Sequence, residues 1–303
     1  MNLIIDGSSL LHRVHWINSK GNITTSDGRN VGDIFMFLNS LRSYAKLFNT
    51  KSIYVAWDKK ILYPSTNFRT EAAGIEYKAG RDKEKAKEVF SNEEDLVKML
   101  NCLGVKNMYP RIMEADDVIA WLCHNLNGPN VVVTVDGDMY QLINERTSYY
   151  HPFKKKVIDQ NNFEEEVGVP QKSFLYYKAI LGDSSDNIPG LYGYGKVKAK
   201  RLAESIYNKE AKGLTKEKLL TIRNNLKLMD LSLGYKLAGK EEVETYQSQF
   251  DELLDIEVDL DSFKSYCEEF EFKRFLDKFS AWEDVFKESR LFTLLNSMPS
   301  NNK

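Results

Sequence analysis

Three apolar runs of this 303-residue chain each end at an aspartate, and this pattern limits the folds that the chain can adopt. Short runs rich in β-branched residues are typical of strands buried on both faces of a parallel sheet. In an open α/β sheet the carboxyl ends of the strands lie at one edge, where ligands bind. The sequence therefore predicts three neighbouring carboxylates at one edge of such a sheet. The runs and their aspartates are Leu3–Ile5 with Asp6, Ile53–Trp57 with Asp58, and Val131–Val135 with Asp136.

Six further acidic residues lie in similar short clusters along the chain. So much negative charge in one pocket is strongly unfavourable unless divalent cations neutralise it. Carboxylate oxygens are the ligands that Mg²⁺ and Mn²⁺ prefer, and such sites commonly act on phosphate groups. The sequence therefore predicts a magnesium or manganese site for phosphate chemistry. The nine predicted ligands are Asp6, Asp58, Glu114, Asp116, Asp117, Asp136, Asp138, Asp183 and Asp186.

The spacing within two of the clusters favours convergence on one ion. Asp136 and Asp138 are two apart, and in an extended segment such residues face the same side. Glu114 and Asp117 are three apart at the start of an apolar stretch, and on a helix they share a face. Both pairs are therefore predicted to present two carboxylates together.

Each cluster also has an ordinary structural explanation. Asp6 and Asp58 are typical of turns that end strands, and acids at the start of a helix are favoured by its dipole. The segment GDSSDN, with Asp183 and Asp186, repeats the spacing of three in a predicted loop. Because five such signals recur at equivalent places in one chain, a shared metal site explains them better than coincidence does.

Five segments, in order, resemble the successive motifs of the flap endonuclease and 5′-3′ exonuclease family. They are MNLIIDGSSLLHR, IEYKAGRD, MEADDVIA, TVDGDMYQLI and AILGDSSDNIPGLYGYGKVKAKRL. The chain is most similar in type to the compact bacteriophage members and to the 5′-nuclease domain of bacterial DNA polymerase I. The resemblance spans about Met1 to Tyr207 and rests on order, spacing and residue type together.

The resemblance implies an α/β fold with a central, mainly parallel sheet flanked by helices, a PIN-like 5′-nuclease core. It implies a metal-dependent nuclease that acts on DNA with a free 5′ end, including flaps and RNA–DNA primer duplexes, and leaves 5′ phosphates. The expected mechanism is phosphodiester hydrolysis assisted by two Mg²⁺ ions, with Mn²⁺ as a substitute. One ion is assigned to Asp6, Asp58, Glu114 and Asp116, and the other to Asp117, Asp136, Asp138, Asp183 and Asp186.

The charged and aromatic segment at about 60–100 resembles the helical arch that covers the active site in this family. By that resemblance Lys78 and Arg81 are catalytic, with Lys78 reaching the scissile phosphate, and Tyr77 stacks on an unpaired base. For Lys83–Glu88 a solvated helix surface is an equally good interpretation.

A second region begins near Pro170 with a predicted helix over Gln171–Leu181. The glycine-rich segment after it resembles the helix-three-turn-helix of the family, which grips the DNA backbone and holds K⁺ on its carbonyls. The glycines of this segment are expected to adopt backbone conformations closed to other residues, which lets backbone amides approach a phosphate at a helix N-terminus. The predicted DNA-binding residues of this motif are Gly190, Gly193, Gly195, Lys196, Lys198 and Lys200.

The charge distribution fits a nucleic-acid-binding core with an acidic C-terminal part. The whole chain has a net charge of −2, but residues 240–303 hold 16 acidic and 8 basic side chains. Residues 1–239 hold 34 basic and 28 acidic side chains, so this part is net positive. We expect a nuclease core over 1–169, and the helix-three-turn-helix with a helical C-terminal region over 170–303.

Other sequence features bear on setting and partners. The three cysteines have no paired spacing, so a disulfide framework is not expected and a reducing cytoplasm is the expected setting. If a phage encodes the chain, this is the cytoplasm of the host cell. No apolar run approaches membrane-spanning length. We expect a free-standing monomer of phage type that acts in DNA replication. A single-stranded-DNA-binding protein or a sliding clamp is a candidate partner, although the tail lacks a clear glutamine-led clamp motif.

Two alternatives from other classes remain at this point. The segment VVVTVDGDM resembles the opening of a haloacid-dehalogenase-type phosphatase, which would use Asp136 as a nucleophile. That interpretation leaves Asp6 and the EADD segment unexplained. The other alternative is a structure-specific DNA-binding protein without cleavage, which the complete set of acids disfavours.

Overall fold

The predicted strands lie in a six-stranded sheet in the computed structural model, which describes residues 1–19, 21, 23–50, 52–58 and 87–287. The strand order is β3-β2-β1-β4-β5-β6, and all neighbouring strands are parallel except the last pair. The prediction of a central, mainly parallel sheet is therefore confirmed. The strands are β1 (Asn2–Asp6), β2 (Ser52–Ala56), β3 (Lys106–Met108), β4 (Asn130–Val133), β5 (Thr147–His151) and β6 (Lys156–Ile158).

Helices cover the sheet and form a separate group after it. Among the described residues, three short 3₁₀ helices lie at Phe90–Asn92, Gly137–Leu142 and Gln171–Ser173. The helices before residue 182 that the structure describes in full are α1 (Gly7–Asn18), α2 (Gly32–Phe48), α3 (Glu93–Cys102), α4 (Ala115–Asn125), α5 (Phe163–Val167) and α6 (Phe174–Leu181), and residues 87–89 are also helical. Those after it are α7 (Lys196–Tyr207), α8 (Lys216–Met229), α9 (Leu231–Leu237), α10 (Lys240–Glu252), α11 (Leu260–Glu269) and α12 (Lys273–Leu276), followed by a helical segment over 280–287.

Both faces of the sheet are buried, which explains the unbroken apolar runs of its strands. In β1, Leu3 and Ile5 point into the hydrophobic cluster on one face, and Ile4 points into the cluster on the other. Burial on both faces requires apolar residues at every position of a central strand. The acids therefore stand out where the strands end.

The C-terminal helices pack on both faces of the same sheet. Phe263 of α11 and Trp282 belong to the cluster that contains α1 and α2. Tyr235 of α9 and Tyr246 of α10 belong to the cluster that contains α4. The predicted helical C-terminal region is thus part of the packing of the core.

Gly7 allows the first helix to begin directly at the end of β1. A Cβ atom at Gly7 would lie 2.5 Å from a methyl group of Val55 and 2.9 Å from the Trp57 ring. A larger residue would therefore push α1 away from β2. Asp6 is the N-cap of this helix and accepts the backbone N–H of Ser9 at 2.9 Å.

Two predicted boundaries shift in the structure. The run Val131–Val135 was predicted as strand throughout, but β4 ends at Val133, and Val135 is 38% exposed. The helix predicted over Gln171–Leu181 consists of a 3₁₀ turn followed by α6. Within the described part of the chain, we find no helix with the length and apolar character needed to span a membrane.

Candidate metal and nucleic-acid site

Three of the predicted ligands lie at the carboxyl ends of the three central strands. Asp6 is the last residue of β1, and β1 pairs with β2 on one side and β4 on the other. Asp58 follows the end of β2, and Asp136 follows the end of β4. The sheet therefore places all three at one edge, as the sequence predicted, and the strand order puts Asp6 between the other two.

Asp6 is a buried carboxylate in a negative environment. It is 5% exposed and accepts hydrogen bonds from the Ser9 backbone and from the Thr134 hydroxyl, at 2.9 and 2.8 Å. Burial and the neighbouring charges of Asp58 and Asp136 raise its pKa, whereas the two hydrogen bonds lower it. The net effect raises the pKa of Asp6 from about 3.8 to about 7. A divalent cation at this place would stabilise the ionised form of Asp6 and offset the negative charges of Asp58 and Asp136, so the residues fit such an ion.

Asp58 connects the end of β2 to the start of α4. Its carboxylate accepts the backbone N–H of Ala115 at 3.0 Å, and its own N–H donates to the Ser8 hydroxyl at 2.8 Å. The N-terminus of a helix carries partial positive charge that stabilises a carboxylate. The EADD segment is therefore fixed beside Asp58 by direct contact.

Within the EADD segment, the acids occupy different environments. Glu114 is the N-cap of α4, and its backbone N–H donates to the Asp117 carboxylate at 3.2 Å. Asp117 has no exposed surface, whereas Asp116 lies in the first helical turn and is partly exposed. Glu114 and Asp117 thus meet across the helix N-terminus.

The geometry expected for Asp136 and Asp138 was wrong. These residues do not lie in an extended segment, because Gly137–Leu142 forms a 3₁₀ helix with Asp136 as its N-cap. Asp136 accepts the backbone N–H of Asp138 at 2.8 Å. The tight turn buries Met139 and Leu142, which are three apart and share one side of a 3₁₀ helix.

Lys178 brings Asp138 and Asp183 together. The Nζ atom of this α6 residue lies 2.8 Å from Asp138 Oδ1 and 2.8 Å from Asp183 Oδ2. Although burial raises the pKa of Asp183, hydrogen bonds from Lys178 and Ser185 lower it to about 2. Burial also raises the pKa of Asp138 despite the nearby ammonium. Asp186 lies in the turn that follows Asp183.

Five of the nine acids lie in two groups, which the adjacent Asp136 and Asp138 connect. Asp6, Asp58 and Asp136 interact electrostatically in one, and Asp138 and Asp183 share Lys178 in the other. Across residues 1–58 and 87–287, apart from 20, 22 and 51, we find no three acidic, histidine or cysteine side chains close enough to enclose one ion. Mg²⁺ commonly keeps several waters, and such an ion needs only one or two direct carboxylates.

Sequence reasoning missed Thr134 and Lys178. Thr134 follows β4, and its buried hydroxyl donates to Asp6 and accepts the N–H of Asp136. A hydroxyl residue inside an otherwise apolar run was the available signal. Lys178 is the one charged residue of α6, whose other residues are Phe, Leu, Tyr, Ala and Ile, and this contrast was its signal.

Sequence reasoning also missed the role of α10. The Glu242 carboxylate has no exposed surface and accepts the backbone N–H groups of Arg111 and Ile112, both at 3.0 Å. The side chain of Gln249 pairs with the backbone N–H and C=O of Tyr109 at 2.9 and 2.8 Å. These contacts fix the loop that leads into Glu114.

The glycine-rich turn has the backbone that was expected at two of its three glycines. Gly193 has a φ of +79°, which favours glycine. A Cβ at Gly190 would lie 2.1 Å from the Leu181 carbonyl oxygen, so the backbones are in close contact. At Gly195 the expectation was wrong, because its φ of −82° is open to other residues and a Cβ would meet nothing within 4 Å.

The lysines of α7 differ in their surroundings. Lys196 and Lys198 are exposed in the first turn of this helix, directly after the N-cap Gly195. Lys200 lies 3.3 Å from the Glu164 carboxylate of α5.

The buried side chain of Asn225 donates to the backbone carbonyls of Ala179 and Pro189, both at 2.8 Å, and so joins α8 to α6 and the turn. Tyr77, Lys78 and Arg81 lie outside the described residues.

Comparison with known proteins agrees with the fold and with the acids at the edge of its sheet. Residues 1–168 match the family model described as 5′-3′ exonuclease, N-terminal resolvase-like domain. The chain therefore belongs to the 5′-3′ exonuclease family. The matched region includes Asp6 and EADD, which the dehalogenase-type alternative left unexplained, so we do not retain that alternative.

Individual relatives fall into two kinds. The chain is 31% identical over 294 residues to the thermostable DNA polymerase I of Thermus thermophilus, a match that covers 93% of this chain and 33% of the polymerase. It thus spans about a third of the length of that relative. It is 28% identical over 297 residues to a 5′-3′ exonuclease of Buchnera aphidicola, with 92% of this chain and 97% of that protein covered.

Among solved structures, the chain is similar to the T5 D15 protein co-crystallised with metal ions. The match has a TM-score of 0.66 at 21% identity and covers 84% of this chain and 99% of that one. A structure of the bacteriophage T5 D15 flap endonuclease with DNA and metal ions matches with a TM-score of 0.66 at 22% identity, and covers 84% of this chain and 99% of that one. At these identities the matches support the fold.

Proposed function

We propose that this chain is a structure-dependent 5′ nuclease that hydrolyses phosphodiesters in DNA with a free 5′ end. The observation that carries the proposal is the position of Asp6 between Asp58 and Asp136 at the carboxyl edge of the sheet, in a member of the 5′-3′ exonuclease family. The substrates we propose are 5′ flaps, nicked or recessed 5′ ends and RNA–DNA primer duplexes. This activity belongs to DNA replication.

The proposed cofactor is a pair of Mg²⁺ ions, for which Mn²⁺ substitutes. One or two of Asp6, Asp58, Glu114 and Asp116 would bind one ion directly and the others through its waters, and Asp138 with Asp183 would contribute to the second ion. The fit rests on an all-oxygen donor set and on the raised pKa of Asp6, caused by burial and by Asp58 and Asp136. Bound ions of this kind polarise the phosphoryl group and lower the pKa of a bound water.

The chain's own residues have separable roles in this proposal. Thr134 holds the Asp6 carboxylate by its 2.8 Å hydrogen bond and keeps Asp136 beside it. Ala115 holds Asp58 through its backbone N–H. Lys78 and Arg81, which lie outside the described residues, are proposed to stabilise negative charge on the phosphate, with Tyr77 stacking on a base.

We propose that the turn at Gly190 to Gly195 and the start of α7 bind the backbone of duplex DNA. The exposed Lys196 and Lys198 and the free amides of the helix N-terminus are suited to phosphate oxygens. Lys200 would also contact a phosphate if its ion pair with Glu164 opened. We propose that the backbone carbonyls of this turn bind K⁺. We also propose that the enzyme is monomeric and cytoplasmic, and that its partner is a single-stranded-DNA-binding protein or a sliding clamp.

Cleavage of a 5′-labelled flap tests this function. The full chain is expected to release short labelled products with Mg²⁺ and none with EDTA. Asp58→Asn is the matched inactive variant, since it removes one charge from the edge of the sheet. Retained binding of the flap without any product, in Mg²⁺ or Mn²⁺, would instead favour the DNA-binding protein without cleavage.

A further inference from the structure

Lys178 lies between two acidic residues that come from separate segments of the chain. Its Nζ atom is 2.8 Å from both Asp138 and Asp183, and the side chains of all three are only 18 to 20% exposed. Asp138 belongs to the 3₁₀ helix after β4, and Asp183 begins the turn after α6. One ammonium group therefore pairs with both carboxylates where two segments of the candidate site meet.

The backbone around Lys178 is well fixed. The carbonyl of Lys178 accepts the N–H of Gly182 at 2.8 Å, and the adjacent Ala179 carbonyl accepts from Asn225 at 2.8 Å. Gln141 of the 3₁₀ helix donates to the carbonyls of Asp138 and Met229 at 2.9 and 3.0 Å. The two carboxylates and the helix that carries the lysine thus keep their positions, whereas the lysine side chain has a long flexible stem.

We propose that the Lys178 ammonium acts as a built-in cation that competes with the second divalent ion for Asp138 and Asp183. The proposal deepens the proposed function, because it rests on these two carboxylates as metal ligands. An ammonium and a divalent ion on the same two carboxylates repel each other, and the repulsion is strong in a partly buried site. Metal binding on this side therefore favours a position of the lysine head group farther from these carboxylates.

Competition of this kind has two consequences that do not depend on catalysis. Without metal, Lys178 stabilises the fold by offsetting the repulsion between Asp138 and Asp183. When metal is present, Lys178 weakens the affinity of the second site for the divalent ion. A higher ion concentration is therefore needed to fill that site.

Titration of the full chain with Mn²⁺ in the absence of DNA tests the proposal. Lys178→Met keeps the volume of the side chain and removes its charge. We expect the weaker Mn²⁺ site to bind about tenfold more tightly in this variant, as measured by calorimetry, with the stoichiometry unchanged. In EDTA its melting temperature should fall below that of the wild type, and the gain on adding Mn²⁺ should be larger.

The control is Lys172→Met, which removes the same charge from an exposed position two residues before α6. This variant should bind Mn²⁺ like the wild type. If Lys178→Met does not fold, Lys178→Arg takes its place and, with its charge kept, should not bind Mn²⁺ more tightly than the wild type. An unchanged or weaker affinity in Lys178→Met, or a tighter one in Lys178→Arg, would overturn the proposal. A wild-type chain that binds no Mn²⁺ would instead overturn the proposed metal-dependent function itself.

Discussion

The Asp6 carboxylate accepts a hydrogen bond from the Thr134 hydroxyl at 2.8 Å, and this contact joins the ends of β1 and β4. The same hydroxyl accepts the backbone N–H of Asp136 at 3.1 Å. Thr134 is 3% exposed, and hydrogen bonds are electrostatically stronger in such a low-dielectric interior. A buried hydroxyl therefore fixes the spacing of two predicted metal ligands before any ion binds.

Asp6 should make the metal-free protein less stable as the pH rises. Burial, together with Asp58 and Asp136, raises its pKa to about 7, so between its unfolded value of about 3.8 and about 7 the folded state binds more protons. The free energy of unfolding therefore falls with rising pH across this window. Asp6→Asn should melt higher than the wild type in EDTA, by about 5 °C at about pH 8, and by less at about pH 5.

The control for Asp6→Asn is Asp251→Asn on the exposed surface of α10. Its melting temperature should differ from that of the wild type by a similar small amount at both pH values. A difference between Asp6→Asn and the wild type that stays constant with pH would show that Asp6 does not titrate in this window.

The sequence predicts the edge of the sheet well because the signals there are local. An apolar run and the acid that ends it lie within a few residues, and burial on both faces of a parallel sheet depends on that run. The positions of Asp6, Asp58 and Asp136 at the ends of strands are therefore predictable from the sequence alone. The departure at Asp138 has a physical reason, since burial of Met139 and Leu142 requires a helical turn.

The contacts that connect distant segments were not predictable from such patterns. Lys178 meets Asp138 through the packing of α6 on the 3₁₀ helix, and Glu242 meets Arg111 through the packing of α10. A lysine in an apolar helix or a glutamate in a charged one has many equally plausible partners. The division at residues 169 and 170 stays a prediction, as do the roles of the acids as metal ligands.

Asp136→Asn should abolish cleavage without weakening DNA binding. Asp136 is exposed, so its substitution should leave the fold intact, and losing a negative charge cannot reduce attraction to phosphate. We expect the single-turnover rate to fall by about 100-fold or more at saturating Mg²⁺. Binding to a labelled flap in EDTA, measured by fluorescence anisotropy, should be equal to or tighter than that of the wild type. Near-normal turnover would mean that Asp136 serves only as the cap of the 3₁₀ helix.

Glu242→Gln should loosen the loop that leads into Glu114. The buried carboxylate accepts two backbone N–H groups and the Tyr246 hydroxyl, whereas one terminal atom of glutamine is itself a donor. The variant should lose about 1–3 kcal/mol of stability and exchange the Arg111 and Ile112 amide hydrogens faster. Glu244→Gln, on the exposed side of α10, is the matched control and should match the wild type in both measurements. Unchanged exchange at Arg111 and Ile112 would show that the Glu242 carboxylate does not fix this loop.

Lys78→Ala should separate chemistry from binding. If Lys78 stabilises charge on the phosphate, the single-turnover cleavage rate should fall by roughly 100-fold or more, with a modest loss of affinity. Lys85→Ala removes the same charge from a residue interpreted as solvated surface, and it should cleave at nearly the wild-type rate. Equal losses in the two variants would mean that this segment contributes only a general positive surface.

The start of α7 should bind DNA through phosphates alone. Lys196→Ala and Lys198→Ala should each flatten the slope of log affinity against log salt by about 0.9, and they should do so for every duplex sequence alike. Lys200→Ala should have a smaller effect, because Lys200 already lies 3.3 Å from Glu164. Gly193→Val should weaken binding more than any of the lysine changes, since a β-branched residue is strained at a φ of +79° and displaces the amides of the turn. An unchanged slope in the Lys196 and Lys198 variants would place the duplex elsewhere on the protein, and losses that depend on sequence would mean that the region reads bases.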